Sequence, residues 1–331
     1  MNAVSVKTSP IATFKWLLKR EYWENRGGFL WAQLITGGIA VLFAALGVVI
    51  GVIGAHYNDI TATGQAVIDN QQEYAHALGW IGDGLLLGGI GIASNVLAFV
   101  VFFYSLGSLY DDRRDRSILF WKSLPISDNQ TVLAKVMWAV LLAPLISIAI
   151  GLLVGLALWL IVIAGAAATG VPSPWAMATH SHPLRLLGLV LSTLPIGLLW
   201  SLPTIGWLMF CSAWASSKPF LWAVLLPLLA CVMISILGAM PGVHLPLGWI
   251  WYIVAARSLL SIWPGSWSGN GLPGITIRSE DLQNPDDLLH WVVQHIDPVR
   301  VYGTPDLWIG AAVGVAFIVA AIYLRRRNGE I

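Results

Sequence analysis

Residues 136–165 read VMWAVLLAPLISIAIGLLVGLALWLIVIAG, thirty residues without one charged side chain and with Ser147 as the only hydroxyl. About 20 apolar residues suffice to cross the hydrocarbon of a bilayer. No water is present there to satisfy backbone N–H and C=O groups, so such a run must close its own hydrogen bonds as a helix. Five further runs read the same way: Phe29–Ala55, Gly84–Leu109, Leu186–Trp214, Phe220–Met240 and Leu307–Leu324. The fold class expected is therefore an all-α membrane protein with six transmembrane helices.

Composition agrees. Of 331 residues 57% are hydrophobic and only 11% charged, against about a quarter charged in soluble domains. Mean hydropathy is +0.75. These values exclude a soluble enzyme, a disordered chain and a secreted disulfide scaffold. Cys211 and Cys231 both fall in apolar runs and offer neither a disulfide framework nor a thiolate metal site. The first 28 residues are too polar for a cleavable signal peptide, and the run after them is long enough to remain as a span.

The distribution of charge sets the expected orientation. With the amino terminus cytoplasmic, the inner pieces hold Lys7, Lys15, Lys19, Arg20, Arg26, Arg113, Arg114, Arg116, Lys122, Lys135, Lys218 and Arg325 to Arg327, fourteen of the 18 Lys and Arg residues. Only Arg185, Arg257, Arg278 and Arg300 fall outside. Such a bias is the positive-inside signature, and it puts both termini in the cytoplasm. One segment tests this count. Leu245–Trp263 is apolar enough to insert, but it carries Pro246 and Arg257, and a full crossing would carry Arg325-Arg326-Arg327 outside. A re-entrant or interfacial course is expected instead. Asn284, Pro285, Asp286 and Asp287 then have the composition of a helix start, with Leu288, Leu289, Val292, Val293 and Ile296 as an apolar face.

Two polar features face the cytoplasm. Ser9-Pro10 opens a segment, residues 10–27, in which Ile11, Phe14, Leu17, Leu18 and Tyr22 share one helical face while Lys15, Lys19 and Arg20 lie off it. This is the pattern of a helix lying in the membrane surface; a plain basic anchor that only sets topology reads the same. The second feature, residues 110–130, is the densest charge cluster in the chain. Asp111, Asp112, Arg113, Arg114, Asp115 and Arg116 lead into Ser117, Ile118, Leu119, Phe120, Trp121, Lys122 and Leu124, closed by Pro125. Mixed charge does not make an anionic-lipid patch. A short charged helix bearing aromatics is what a protein partner grips, the alternative being a turn whose apolar residues tuck into the bilayer. Ser127 or Asp128 can cap the helix that follows.

The string from Asp111 to Pro125 resembles the cytoplasmic loop of type-2 ABC exporter permeases (the ABC-2 family). That family has six spans with both ends cytoplasmic, an amphipathic helix before the first span, a charged coupling helix between the second and third, and short outer helices between the fifth and sixth. The resemblance covers nearly the whole chain as a layout, residues 241–306 supplying the outer segment. It implies a single transmembrane domain, a permease subunit of the bacterial inner membrane, and a second permease copy, most simply a homodimer. It implies ATPase subunits docking on Asp111, Asp112, Arg113, Asp115, Arg116, Ser117, Phe120, Trp121, Lys122, Leu124 and Pro125, with Phe14, Lys15, Leu18, Lys19 and Arg20 forming the interfacial helix. The sequence has no G-x-x-x-x-G-K-[ST] phosphate cradle. ATP and Mg are thus expected on the partner ATPase and no cofactor in this chain, which is not expected to be an enzyme.

Other chemistry is poorly supported. The seven histidines, His56, His76, His180, His182, His244, His290 and His295, all fall in outer pieces without a companion cysteine, and ordinary loop histidines are expected over metal ligands. Neither H-E-x-x-H nor G-x-S-x-G occurs, Gly265-Ser266-Trp267-Ser268-Gly269 being a near miss. Ion-coupled transporters bury ionisable groups at mid-membrane, whereas the expected spans hold only Gln33 and Asn95 as polar exceptions. This favours a lipid or hydrophobic peptide as cargo, and nucleic acid is not an expected partner. A structural or accessory role in envelope or cofactor assembly is the alternative, and a secondary transporter the third reading. Gly47-x-x-x-Gly51, Gly84-x-x-x-Gly88 and Gly151-x-x-x-Gly155 permit close helix approach, and Pro144, Pro195, Pro203 and Pro227 are candidate kink sites.

Overall fold

The computed structural model describes residues 10–57, 71–115, 127–268 and 298–327. Helices dominate, and no strand occurs among the described residues. Six helical runs are long and apolar enough to cross a membrane, which marks a multi-pass membrane protein.

The first run is continuous from the surface segment into the span. Helix α1 (Pro10–Arg26) passes through one π-helical turn, Gly27–Trp31, into α2 (Ala32–Tyr57). Gly27 and Gly28 widen the backbone here without stopping it. The surface helix expected at 10–27 runs on into the span without a break. Helix α3 (Gln71–Gly107) starts well before the expected Gly84. Its polar first turns are held by tertiary contacts: Leu78 packs on Ala176 and Met177, and the buried Asp83 accepts the His182 N–H at 2.8 Å. A one-turn helix α4 (Tyr110–Arg114) follows.

Helix α5 (Asp128–Met137) is capped by Ser127, whose Oγ accepts from the Gln130 N–H. A π-helical turn, Trp138–Leu142, joins it to α6 (Ala143–Ala168). A short α7 (Ala176–Thr179) precedes α8 (Pro183–Trp214), which stays helical through Pro195 and Pro203. The turn Leu221–Leu225 leads into α9 (Leu226–Gly238). Then come α10 (Leu247–Trp251) with a π-helical extension Tyr252–Arg257, α11 (Pro298–Tyr302) and α12 (Pro305–Arg327). In α12, Asp306 lies in the first turn and Arg325, Arg326 and Arg327 in the last, matching charge to both ends of the helix dipole.

Glycine sets two close crossings. Helices α3 and α6 run antiparallel, with Gly89 against Gly151 and Gly155 so tightly that a β-carbon on any of them would strike opposing backbone. Helices α8 and α12 run parallel, Gly206 on Gly314 and Pro203 on Gly310. Helix α2 lies parallel to α6, Gly37 against Val154 and Gly165 against Val48. Away from these seams the large apolar side chains point outward: Phe43 on α2 is 67% exposed, Leu153 on α6 63% and Val319 on α12 58%. A surface of this kind is suited to hydrocarbon, because in water it would be a large aggregation-prone patch.

Because α8 and α12 are parallel, the chain between them must traverse the bundle an odd number of times. Helix α9 supplies one traverse. The stretch 247–257 has eleven helical residues, about 16 Å at 1.5 Å per residue, and is too short for another. It folds back along α9, where Trp251 Nε1 donates to Ser235 Oγ at 2.9 Å. Beyond it Trp263 lies edge-on to Phe99 with ring centroids 5.0 Å apart, and Trp267 returns to the cluster of Ile196, Trp200 and Leu307.

Candidate functional site

At one end of the bundle the chain gathers five charged side chains from four elements. Lys135 on α5 is 3.3 Å from Glu21 of α1 and 3.6 Å from Asp112 of α4. Arg325 on α12 reaches Asp112 at 2.9 Å and Asp128 of α5 at 3.0 Å. Tyr104 on α3 donates its hydroxyl to Glu21 at 2.7 Å. The side chains of Lys135, Glu21 and Arg325 retain 4% or less of their exposure. Charges so far removed from water persist only when each is paired and hydrogen-bonded, and here each carboxylate has a cation or a donor on it.

Local sequence explains why these residues reach one another. Ser127 takes the cap of α5, which leaves the neighbouring Asp128 for Arg325. Below the ionic layer an aromatic floor excludes water: Phe29 sits edge-on to both Tyr104 and Trp138, at 5.2 and 5.6 Å, and Tyr22 sits edge-on to Trp138 at 5.8 Å. Salt bridges above such a floor act at lower effective dielectric than in water.

The start of the charged loop is fastened to this end by a second set of bonds. Arg113 Nη2 donates to the carbonyls of Ser212 at 2.6 Å and Ala215 at 2.8 Å. It thereby closes the carbonyl end of α8, where a cation is favoured by the helix dipole. Ser212 Oγ in turn accepts from the Leu109 and Tyr110 N–H groups at 3.1 and 2.9 Å. So Asp112 and Arg113 are engaged inside the chain, whereas Asp111, Arg114 and Asp115 are exposed. The other residues expected at the docking surface, Arg116, Ser117, Phe120, Trp121, Lys122, Leu124 and Pro125, lie outside the described residues.

On α1, Lys15 and Lys19 are exposed, Phe14, Leu18 and Arg20 half-buried, and Leu17 buried. Ile11, expected on the apolar face, is 71% exposed. The open side of the helix pairs aromatic and cation, Lys19 over Trp16 and Arg26 over Trp23, each at 5.0 Å. Glu21 and Lys135, whose pair ties α1 to α5 in this cluster, are not among the residues that the sequence marks as functional. A lone glutamate inside a basic surface helix and a lone lysine at a span edge were the available signals.

Toward the other end, Arg257 is 6% exposed. Its guanidinium lies 3.7 Å from the Trp200 ring centroid. It also donates to the Asp306 carbonyl at 3.0 Å and lies 3.8 Å from the Asp306 carboxylate, which accepts the Tyr252 hydroxyl as well. The Thr204 and Ser261 hydroxyls are 2.6 Å apart and share the Arg257 carbonyl as acceptor. These bonds clamp the segment 252–261 to α8 and α12.

Between α3, the start of α6, α8 and the segment 261–267 lies a cavity of about 320 Å³. Its wall is apolar, with Leu87, Ile90, Leu194, Leu198, Ile262 and Trp263 prominent. Among the described histidines, His76 and His180 stack edge to face at 5.5 Å, while no three metal-ligating side chains gather among the described residues. Ser266 and Ser268, of the near-miss serine motif, bond to the Ser261 and Gly265 carbonyls.

No family model, curated protein or solved structure matches the chain.

Proposed function

We propose that this chain is the membrane-spanning permease subunit of an ABC-type exporter, opened and closed by ATP binding and hydrolysis in a separate ATPase subunit. The observation that carries the reading is the buried ionic cluster at the root of the charged loop. A push on residues 111–115 is delivered through Asp112 to Lys135 and Arg325, and through them to α1, α5 and α12. Arg113 carries it to α8. A loop so fastened is a lever that moves four helices together; a loop serving only as a connector needs no such fastening.

In this reading the cluster end is cytoplasmic, since Lys15, Lys19, Arg20, Arg26 and Arg325 to Arg327 gather there. Both termini are then inside, and 245–268 is read as a re-entrant hairpin from the outer side, a course in keeping with the parallel run of α8 and α12. The ATPases dock on the exposed Asp111 and Asp115 and on the loop that continues to Pro125. A second permease copy completes the unit in the bacterial inner membrane, and ATP with Mg belongs to the partner.

Affinity purification of the full-length chain from its native membrane in mild detergent tests this. The expected result is a co-purifying ATPase, lost on the double charge reversal Asp111→Lys with Asp115→Lys while the permease itself still folds. Nucleotide hydrolysis by the chain alone, or an ATPase association indifferent to that reversal, overturns the reading.

A further inference from the structure

From the walls of the central cavity we infer that it is a binding site for a single lipid acyl chain, closed from one side by the hairpin turn at Trp263-Pro264-Gly265. Three observations lead there. The first is shape. The cavity is lined along α3 from Leu87 to Val101 and along α8 from Val190 to Ile205, about 21 Å at 1.5 Å per residue. An elongated slot of this length, parallel to helices that cross a core of about 30 Å, fits an extended chain better than a compact solute.

The second is chemistry. No ionisable side chain among the described residues lines the slot. The hydroxyls that reach its wall are already spent: Thr193 donates to the Val190 carbonyl at 3.0 Å, Ser201 to the Leu198 carbonyl at 2.9 Å, and Ser261 bonds with Thr204 and Arg257. Ser94 is the remaining hydroxyl on the wall. An ion or a sugar entering here gives up its hydration for almost nothing in return, whereas an apolar chain gains contact on every side.

The third is the wall's construction. Gly265, at φ +77°, turns the hairpin so that Ile262 and Trp263 close the slot, and the Arg257 clamp on α8 and α12 holds that turn in place. Gly91 and Gly197 lie on the wall, and a β-carbon on either would touch nothing. They differ from the jammed glycines of the α3–α6 seam in that their missing side chains leave space in the slot rather than room for a neighbouring helix. That the bound lipid is the cargo rests on the export reading above; that the slot takes an acyl chain does not.

The test reconstitutes the full-length chain into phosphatidylethanolamine–phosphatidylglycerol vesicles holding a trace of phospholipid with a diazirine on one acyl chain. After illumination, labelled peptides are mapped by mass spectrometry. Labels are expected on the slot faces of residues 87–101 and 190–205 in addition to the outward face of α2. The variant Gly91→Leu with Gly197→Leu fills the slot with helix-favouring side chains, and its slot labelling should fall by about tenfold or more while α2 labelling is unchanged. Each single variant should give an intermediate loss, which keeps the test decisive if the double variant does not fold. Wild-type slot labelling no higher than background, or labelling unaffected by filling, overturns the inference. So does slot labelling by a diazirine-bearing hydrophobic peptide at the expense of the lipid. Co-purification of the parent chain with an ATPase is scored separately: absence of an ATPase defeats the export reading and leaves the slot standing, whereas an ATPase present without slot labelling does the reverse.

Discussion

Lys135 shows how much one side chain can hold. It is buried between Glu21 and Asp112, so Lys135→Ala leaves the buried Glu21 without its cation while Asp112 keeps Arg325. Breaking a buried ion pair from one side costs about 3–5 kcal/mol. The expected outcome is a large drop in the thermal midpoint of the detergent-solubilised chain, partly restored by the double change Lys135→Met with Glu21→Gln, which removes charge from both sides. A single variant as stable as the parent would show that the pair carries no weight. Arg257 is the second such residue. Arg257→Lys keeps the charge but loses the flat stack on Trp200 and the fork to Asp306. It should leave the folded bundle intact while loosening the hairpin, read as faster hydrogen exchange confined to residues 252–267. Uniform exchange across the chain would contradict this.

At the scale of elements, the seams follow from glycine. Gly151 and Gly155 admit the backbone of α3 at Gly89, and a β-branched side chain there forces the helices apart. Gly151→Val is expected to cost about 1–3 kcal/mol, the usual range for overpacking. Gly47→Val, on α2 and with nothing near its β-carbon among the described residues, should be tolerated. Parallel thermal melts distinguish the two, and equal losses would refute the seam. The G-x-x-x-G spacing at 151 and 155 was legible in the sequence, and the structure shows it packing within the chain. The equally legible spacing at 47 and 51 faces no partner among the described residues, because a spacing states only that close approach is possible. Proline was similarly ambiguous. Pro195 and Pro203 sit inside an unbroken α8, and Pro203 there packs against α12 at Gly310.

For the whole molecule, the prediction concerns sides. Cysteines introduced at Ser127, beside the ionic cluster, and at Ser173, between α6 and α7, should react with a membrane-impermeant maleimide from opposite faces of sealed vesicles. Labelling of both from the same face would defeat the six-span arrangement. In the parent chain Cys211 and Cys231 are buried, which keeps the background low.

The amino-acid sequence by itself determined the helical class, the six long apolar runs and the segregation of charge to their ends. These properties are local: each backbone must satisfy its own hydrogen bonds in hydrocarbon, and each charge is expensive wherever it sits, whatever its neighbours. It did not determine which charges meet, how α1 joins α2, or that a slot opens between α3 and α8. Asp112 and Arg325 are 213 residues apart, and nothing in either's surroundings along the chain marks the other. Their pairing is decided when glycine contacts fix which helices lie side by side. The course of residues 252–267 is settled by the same packing, because Arg257 is affordable only where Trp200 and Asp306 are brought to meet it.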